Sequence, residues 1–230
     1  MPQFNVAVYL YPKADLLDFS GPVEIYSYPY EGSTEMPFSV TSFAHQNPVT
    51  SGSSALVYVP NATFADVSAR IEDFDILLIP GAAFDTITEL IDAEEGKELS
   101  QLIRKFAQAK PRSETGKRIL QSVCTGSVLV AASGVLAGRT ITTHHLGLDM
   151  LKKVADDAAG GDSKVNVVRQ RWVDAGTTEA GVRIVNAGGV SSGIDATLWI
   201  VEQLHGKAVA EQMAEVAEFE RRDAGWGVDT

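Results

Sequence analysis

Apolar positions along the chain recur in two periods, one matching strands and one matching helices. Asn5 to Leu10 (NVAVYL) is a β-branched and aromatic run and predicts a buried strand. The spacing predicts a helix over Leu16–Tyr28, with Pro22 in its first turn and Ser20 as candidate N-cap. Phe38 to Ala44 alternates like a second strand, and Asp75 to Pro80 (DILLIP) reads as a strand covered on both faces. Leu99, Leu102, Ile103 and Phe106 share one face of a predicted helix over Lys97–Lys110. Arg118 to Val123 predicts a strand, and Thr125 to Ala132 a helix directly after it. Val165–Arg169, Arg171–Asp174 and Arg183–Asn186 predict three more strands, the first two near a turn. Ser192 and Asp195 resemble a capping box for a helix that should stop or kink at Gly206, before a last helix over about Lys207–Arg222. Buried strands alternating with helices predict an α/β sandwich around a largely parallel sheet. With no internal repeat or linker, residues 1–230 are expected to form one domain.

Composition narrows the possible functions. Lys plus Arg is 19 and Asp plus Glu is 30, a formal net charge of -11, which disfavours nucleic acid and anionic membranes as partners. The N-terminus has no basic segment and reads as a first strand rather than a signal peptide. The most apolar stretch, Val128–Leu136, is far shorter than the roughly 20 residues of a membrane span. A soluble, cytoplasmic protein is the expectation. The single cysteine, Cys124, excludes an internal disulfide framework, a CxxC pair and any multi-cysteine zinc site.

Neither GxxxxGK[ST] nor GxGxxG occurs, which disfavours a phosphate-loop enzyme or a conventional dinucleotide site. Gly189-Val-Ser-Ser-Gly193 fits GxSxG, yet the only later histidine is His205, on the helix that begins beside that serine. Ser191 or Ser192 capping the helix is the simpler reading. His144 and His145 are adjacent, without spacing that suggests a metal cage. Tyr26, Tyr28, Trp172 and Trp199 read as core aromatics or pocket lining. Cys124 is the strongest candidate. It lies between an apolar strand and a helix, where helix N–H groups would favour a thiolate and the turn would force a sparsely populated backbone conformation. A small buried apolar cysteine is the alternative.

Four segments together, LLDFSGPVE, DILLIPGA, SVCTGSVLVAASGVLAGRTITTHH and NAGGVSSGID, resemble the ThiJ/PfpI superfamily over nearly the whole chain. The resemblance implies a flavodoxin-like, class I glutamine amidotransferase-like domain with a cysteine nucleophile elbow. Asp18 in its LDxxGP context and Cys124-Thr125-Gly126-Ser127 resemble the isocyanide hydratase branch. That branch implies a cofactor-independent lyase that converts isocyanides to N-formamides, with Cys124 as nucleophile and Asp18 as general acid and base. Thr125 would contribute its backbone N–H to the site. Gly81 and Ala82 would form the loop opposite the cysteine, and His144 and Gly189 would border substrate. Ala82 stands where the family commonly has a second glycine, and alanine tolerates positive φ poorly. No metal or organic cofactor is expected. The superfamily implies a homodimer, for which Ala208–Phe219 offers an apolar helical face. Two other activities remain open at this point: glyoxalase or deglycase chemistry on methylglyoxal, and non-enzymatic redox sensing by Cys124.

Overall fold

Four segments rich in apolar residues, FNVAVY, ILLI, RILQS and VRIVNA, become neighbouring strands in the middle of the molecule. The computed structural model describes residues 2–227. Its strands are β1 (Phe4–Tyr9), β2 (Phe38–Ala44), β3 (Val49–Thr50), β4 (Val57–Tyr58), β5 (Ala62–Thr63), β6 (Ile76–Ile79), β7 (Arg118–Ser122), β8 (Thr140–Ile141), β9 (Asn166–Val167), β10 (Trp172–Thr177) and β11 (Val182–Ala187). Its helices are α1 (Leu16–Tyr26), α2 (Phe64–Ala69), α3 (Phe84–Asp92), α4 (Glu94–Gln108), α5 (Gly126–Ala132), α6 (Leu148–Ala159), α7 (Ser192–His205) and α8 (Lys207–Val216).

Seven strands form one sheet in the order β10-β11-β7-β6-β1-β2-β5. Every neighbouring pair is parallel except β10–β11. All four residues of β6 are buried, as expected of a parallel strand covered on both faces. The helices form two packed groups, α1 with α7 and α8, and α3 and α4 with α5 and α6. Polar side chains tie the layers of this core together. Gln121 on β7 accepts from Tyr26 Oη at 2.7 Å and donates to Thr197 Oγ1 at 2.8 Å, which ties α1, β7 and α7 together.

Several expected elements differ in detail. α1 begins at Leu16 with Asp15 as N-cap, so Ser20 is not the cap and Pro22 lies inside the helix, among its buried residues. The expected start at Leu16 is observed, and the cap and the first-turn place of Pro22 differ. The capping box at α7 does not form. Ser191 is the N-cap without a side-chain cap bond, and Asp195 instead pairs with Arg171 at 2.6 Å. α8 ends at Val216 rather than Arg222, and the expected helix over Lys97–Lys110 begins earlier, at Glu94. The strand expected over Val165–Arg169 shrinks to β9, which pairs with β8 outside the main sheet. The apolar face of α8, offered above for a dimer, buries Ala210, Met213 and Ala214 and packs against α7 within the subunit.

The chain leaves β1 for β2 on one side and later places β6 on the other. Such a switch in strand order opens a crevice outside the carboxyl ends of the strands. The segments that follow β1, β6 and β7 meet there, and they carry Asp15 and Asp18, Gly81 and Ala82, and Cys124 and Thr125.

Candidate active site

Cys124 is two residues beyond β7 and has φ +57, the left-handed region. A non-glycine residue there costs about 1–2 kcal/mol, so the surroundings must hold it. They do so through its backbone. Its N–H donates to the carbonyls of Ala187 at 3.1 Å and Gly188 at 2.8 Å, and its carbonyl accepts from Thr143 Oγ1 at 2.9 Å. The expected elbow is present, and the sulfur's position is set by β7, β11 and the segment after β8.

The sulfur receives the backbone N–H groups of Thr125 and Val190. Burial and the nearby Asp18 charge outweigh them and push the thiol up to about 12. This corrects the expectation of a thiolate stabilised by the following helix. Cys124 is only 2 % exposed, and α5 is seven residues long, too short to offset that burial. Asp18 is fully buried in the first turn of α1. Its Oδ2 accepts from Gly81 N–H at 3.0 Å, and its Oδ1 has no nitrogen or oxygen partner. The carboxyl group lies within 4.8 Å of the thiol sulfur, counted between their ligand atoms. Burial, with help from the Asp15 charge, pushes Asp18 up to about 7. Two adjacent buried acids disfavour a second charge, so near neutral pH the pair carries at most one.

The loop after β6 is locked from both sides. Thr125 Oγ1 accepts from Ala82 N–H at 2.9 Å and donates to Ala82 O at 2.7 Å. A Cβ on Gly81 would lie 2.5 Å from Thr125 Oγ1 and 2.9 Å from Asp18 Oδ2, so glycine is required here by close approach. Ala82 has no positive φ and fits without strain. Both loop N–H groups are therefore used, Gly81 on Asp18 and Ala82 on Thr125, which leaves neither for an anion opposite the cysteine. The groups aimed at the sulfur come from Thr125 and Val190 instead.

Residues 5–202 match the DJ-1/PfpI family. The chain belongs to that family. Among curated proteins it is similar to isonitrile hydratase of Pseudomonas putida, 28 % identical over 209 residues, covering 90 % of this chain and 75 % of that one. Among solved structures it is similar to a ThiJ/PfpI family protein from Pseudomonas syringae (TM-score 0.72, 23 % identity, 100 % of this chain and 80 % of that one). It is also similar to Drosophila melanogaster DJ-1beta (TM-score 0.70, 16 % identity, 95 % and 99 % coverage). The mostly parallel sheet with flanking helices is the flavodoxin-like fold of the family.

Three groups at this DJ-1/PfpI site were not singled out from the sequence. Asp15, the N-cap of α1, is within 4.8 Å of both Asp18 and Cys124, counted between their ligand atoms. Its signal was its spacing, since residues three apart on a first helical turn share a face. Tyr11, fully buried, donates to Pro80 O at 3.0 Å and senses the charges of Asp18 and Cys124. Val190, with φ +41, acts through a backbone N–H that no residue identity announces.

The remaining candidates fall outside this cluster. His144 accepts from Leu146 N–H at 3.3 Å and packs on Phe84 and His145, with Asp15 near enough to influence its charge. Ser191 Oγ accepts from Arg171 at 3.3 Å, while His205 at the other end of α7 is held by Phe4, Tyr30 and Phe38, so no serine–histidine pair forms. Tyr26 is a core residue, and Trp172 packs on Trp199 at 4.7 Å, away from the cysteine.

Proposed function

We propose that the protein is an isocyanide hydratase in which Cys124 is the nucleophile and Asp18 the proton carrier. The observation that supports this most is the buried Asp18 carboxyl group within 4.8 Å of the buried Cys124 thiol, in a chain similar to an isonitrile hydratase over 90 % of its length. A thiol with a high affinity for its proton needs a base within reach to become a nucleophile. A carboxyl group poised near neutrality suits both halves of such a cycle.

The carboxylate of Asp18 takes the thiol proton as sulfur attacks the terminal carbon of R–N≡C, forming the C–S bond. Asp18 returns that proton to the same carbon, giving the thioimidate R–N=CH–S–Cys124. Water adds to this carbon as Asp18 takes one of its protons and passes it to the nitrogen, giving R–NH–CH(OH)–S–Cys124. The C–S bond then breaks as the hydroxyl proton passes through Asp18 to sulfur, and R–NH–CHO leaves. The Thr125 and Val190 N–H groups support negative charge on sulfur whenever it is transiently a thiolate.

Redox sensing is less favoured, because oxidation begins at an accessible thiolate and this thiol is buried and protonated. A cytoplasmic location and a homodimer belong to the same proposal. No helix among the described residues is long and apolar enough to cross a membrane. Exposed Leu16 and Leu17 on α1, with Leu56, Val57 and Val59 around β4, are apolar groups free for a second copy, next to the helix that carries Asp18. Phe19 of α1 stacks edge-on against Tyr58 of β4, which brings these two elements together. The function is tested by incubating the protein with alkyl and aryl isocyanides and with methylglyoxal, following formamide and lactate. Formamide lost in Cys124→Ser supports the proposal; lactate alone sinks it. Light scattering on a sizing column reads the oligomer, and a monomer at all concentrations refutes the dimer.

A further inference from the structure

The Gly188–Val190 loop, whose Val190 N–H faces the Cys124 sulfur, also lines a cleft of about 440 Å³ with side chains that the reaction above does not use. Its described lining includes Arg169, Arg171, His144 and His145 and no aspartate or glutamate, in a chain whose net charge is -11. The charges are not equivalent. Arg171 is neutralised, since its Nε donates to the buried Asp195 at 2.6 Å. Arg169 is exposed and makes no hydrogen bond or ion pair with any described residue.

The other wall is aromatic. Arg171 N–H donates to Ala224 O at 2.9 Å, and Arg222 N–H donates to Asp195 Oδ1 at 2.6 Å, so the segment after α8 is strapped across this end of α7. The strap presents Trp226, with the guanidinium groups of Arg171 and Arg222 at 5.1 Å and 4.7 Å from its ring. Although held in this way, Trp226 remains 55 % exposed. A Cβ on Gly189 would sit 2.6 Å from His144 Cδ2, so glycine there lets the imidazole lie against the loop and keeps the cleft open between them.

We infer that this cleft binds a small aromatic carboxylate, with the anion on Arg169 beside His145 and the ring against Trp226. An unpaired guanidinium matches a carboxylate with two parallel N–H bonds, and a flat exposed indole supplies apolar contact to a ring. The ligand's source is either a free effector or the substituent of a charged substrate. The binding itself does not require that the protein hydrate isocyanides, so it stands or falls separately from the proposed activity.

Calorimetric titration tests it with benzoate and its neutral analogue benzamide. Benzoate should bind the wild-type protein saturably and benzamide about tenfold more weakly or worse. Arg169→Ala should weaken benzoate about tenfold and leave benzamide unchanged. Trp226→Ala should weaken both. Cys124→Ala should bind benzoate as the wild type does. Equal binding of the two probes, or no effect of Arg169→Ala on benzoate, overturns the inference. A kcat/KM preference for 4-isocyanobenzoate over phenyl isocyanide that disappears in Arg169→Ala assigns the site to a substrate's substituent; benzoate binding without that preference assigns it to a free effector.

Discussion

Replacing Asp18 by Asn tests the electrostatics of the site without dismantling its geometry. The asparagine side-chain oxygen can still accept from Gly81 N–H, which in the native site donates to Asp18 Oδ2 at 3.0 Å. What changes is the proton. Burial, the largest cause, raises Asp18 from 3.8 to about 7 in the folded protein, so between those values the native state holds a proton that the unfolded chain has released. Stability therefore falls as pH rises through that window and stays lower above it. At about 1.36 kcal/mol per pH unit, the difference from 3.8 to about 7 is on the order of 4 kcal/mol. Urea denaturation at pH 5 and pH 8 reads the part lost above pH 5, on the order of 3 kcal/mol. The wild-type protein should lose more stability than Asp18→Asn between the two, and the variant should be the more stable protein at pH 8. The same variant should lose roughly 10²–10⁴-fold in turnover, because an amide carries no proton between sulfur and carbon. Wild-type turnover should rise as pH increases through about 7, where the carboxylate forms. Parallel stability curves for the two proteins would refute the account of Asp18 as a buried carboxyl with a raised affinity for its proton.

Other outcomes follow from single contacts. Cys124→Gly should be about 1 kcal/mol more stable than Cys124→Ala in urea, since both lack the sulfur and only glycine relieves φ +57. Thr125→Val removes the two bonds that hold Ala82 and leaves a buried N–H and carbonyl unpaired, at about 1–3 kcal/mol each by the same measurement. Gly81→Ala should impair both folding stability and turnover, because its Cβ would press on Thr125 and Asp18 together. A fully active, undiminished Gly81→Ala protein would show that the loop yields more easily than its packing implies.

The central strands were readable because parallel strands buried on both faces leave apolar runs, uninterrupted in ILLI and broken only by Gln121 and Ser122 in Ile119–Val123. The cysteine elbow was readable for a related reason, since one such run ends directly at Cys124. Helix starts were less so. SGP looks like an N-terminal cap locally, but Asp15 is the cap, and Gly21 lies inside α1 where a Cβ would meet Ile194 on α7 at 2.9 Å. α3 and α6 went unrecognised, although α6 carries paired charges four apart, Lys152 with Asp156 and Lys153 with Asp157. At the site, motif positions located Asp18 and Gly81, but only the fold shows that the Gly81 and Ala82 N–H groups are spent on Asp18 and Thr125. The state of the thiol was misread for a similar reason. A strand-to-helix turn announces N–H groups, whereas the burial that outweighs them depends on every element packed around it.

The central claim is tested most directly by product analysis. Wild-type protein, Cys124→Ser and Asp18→Asn are each incubated with a simple aryl isocyanide, and N-formamide is quantified by mass spectrometry. Wild type should produce formamide catalytically, Cys124→Ser none above the uncatalysed rate, and Asp18→Asn only a small residue. Formamide produced equally well by Cys124→Ser, or by none of the three proteins, would contradict it.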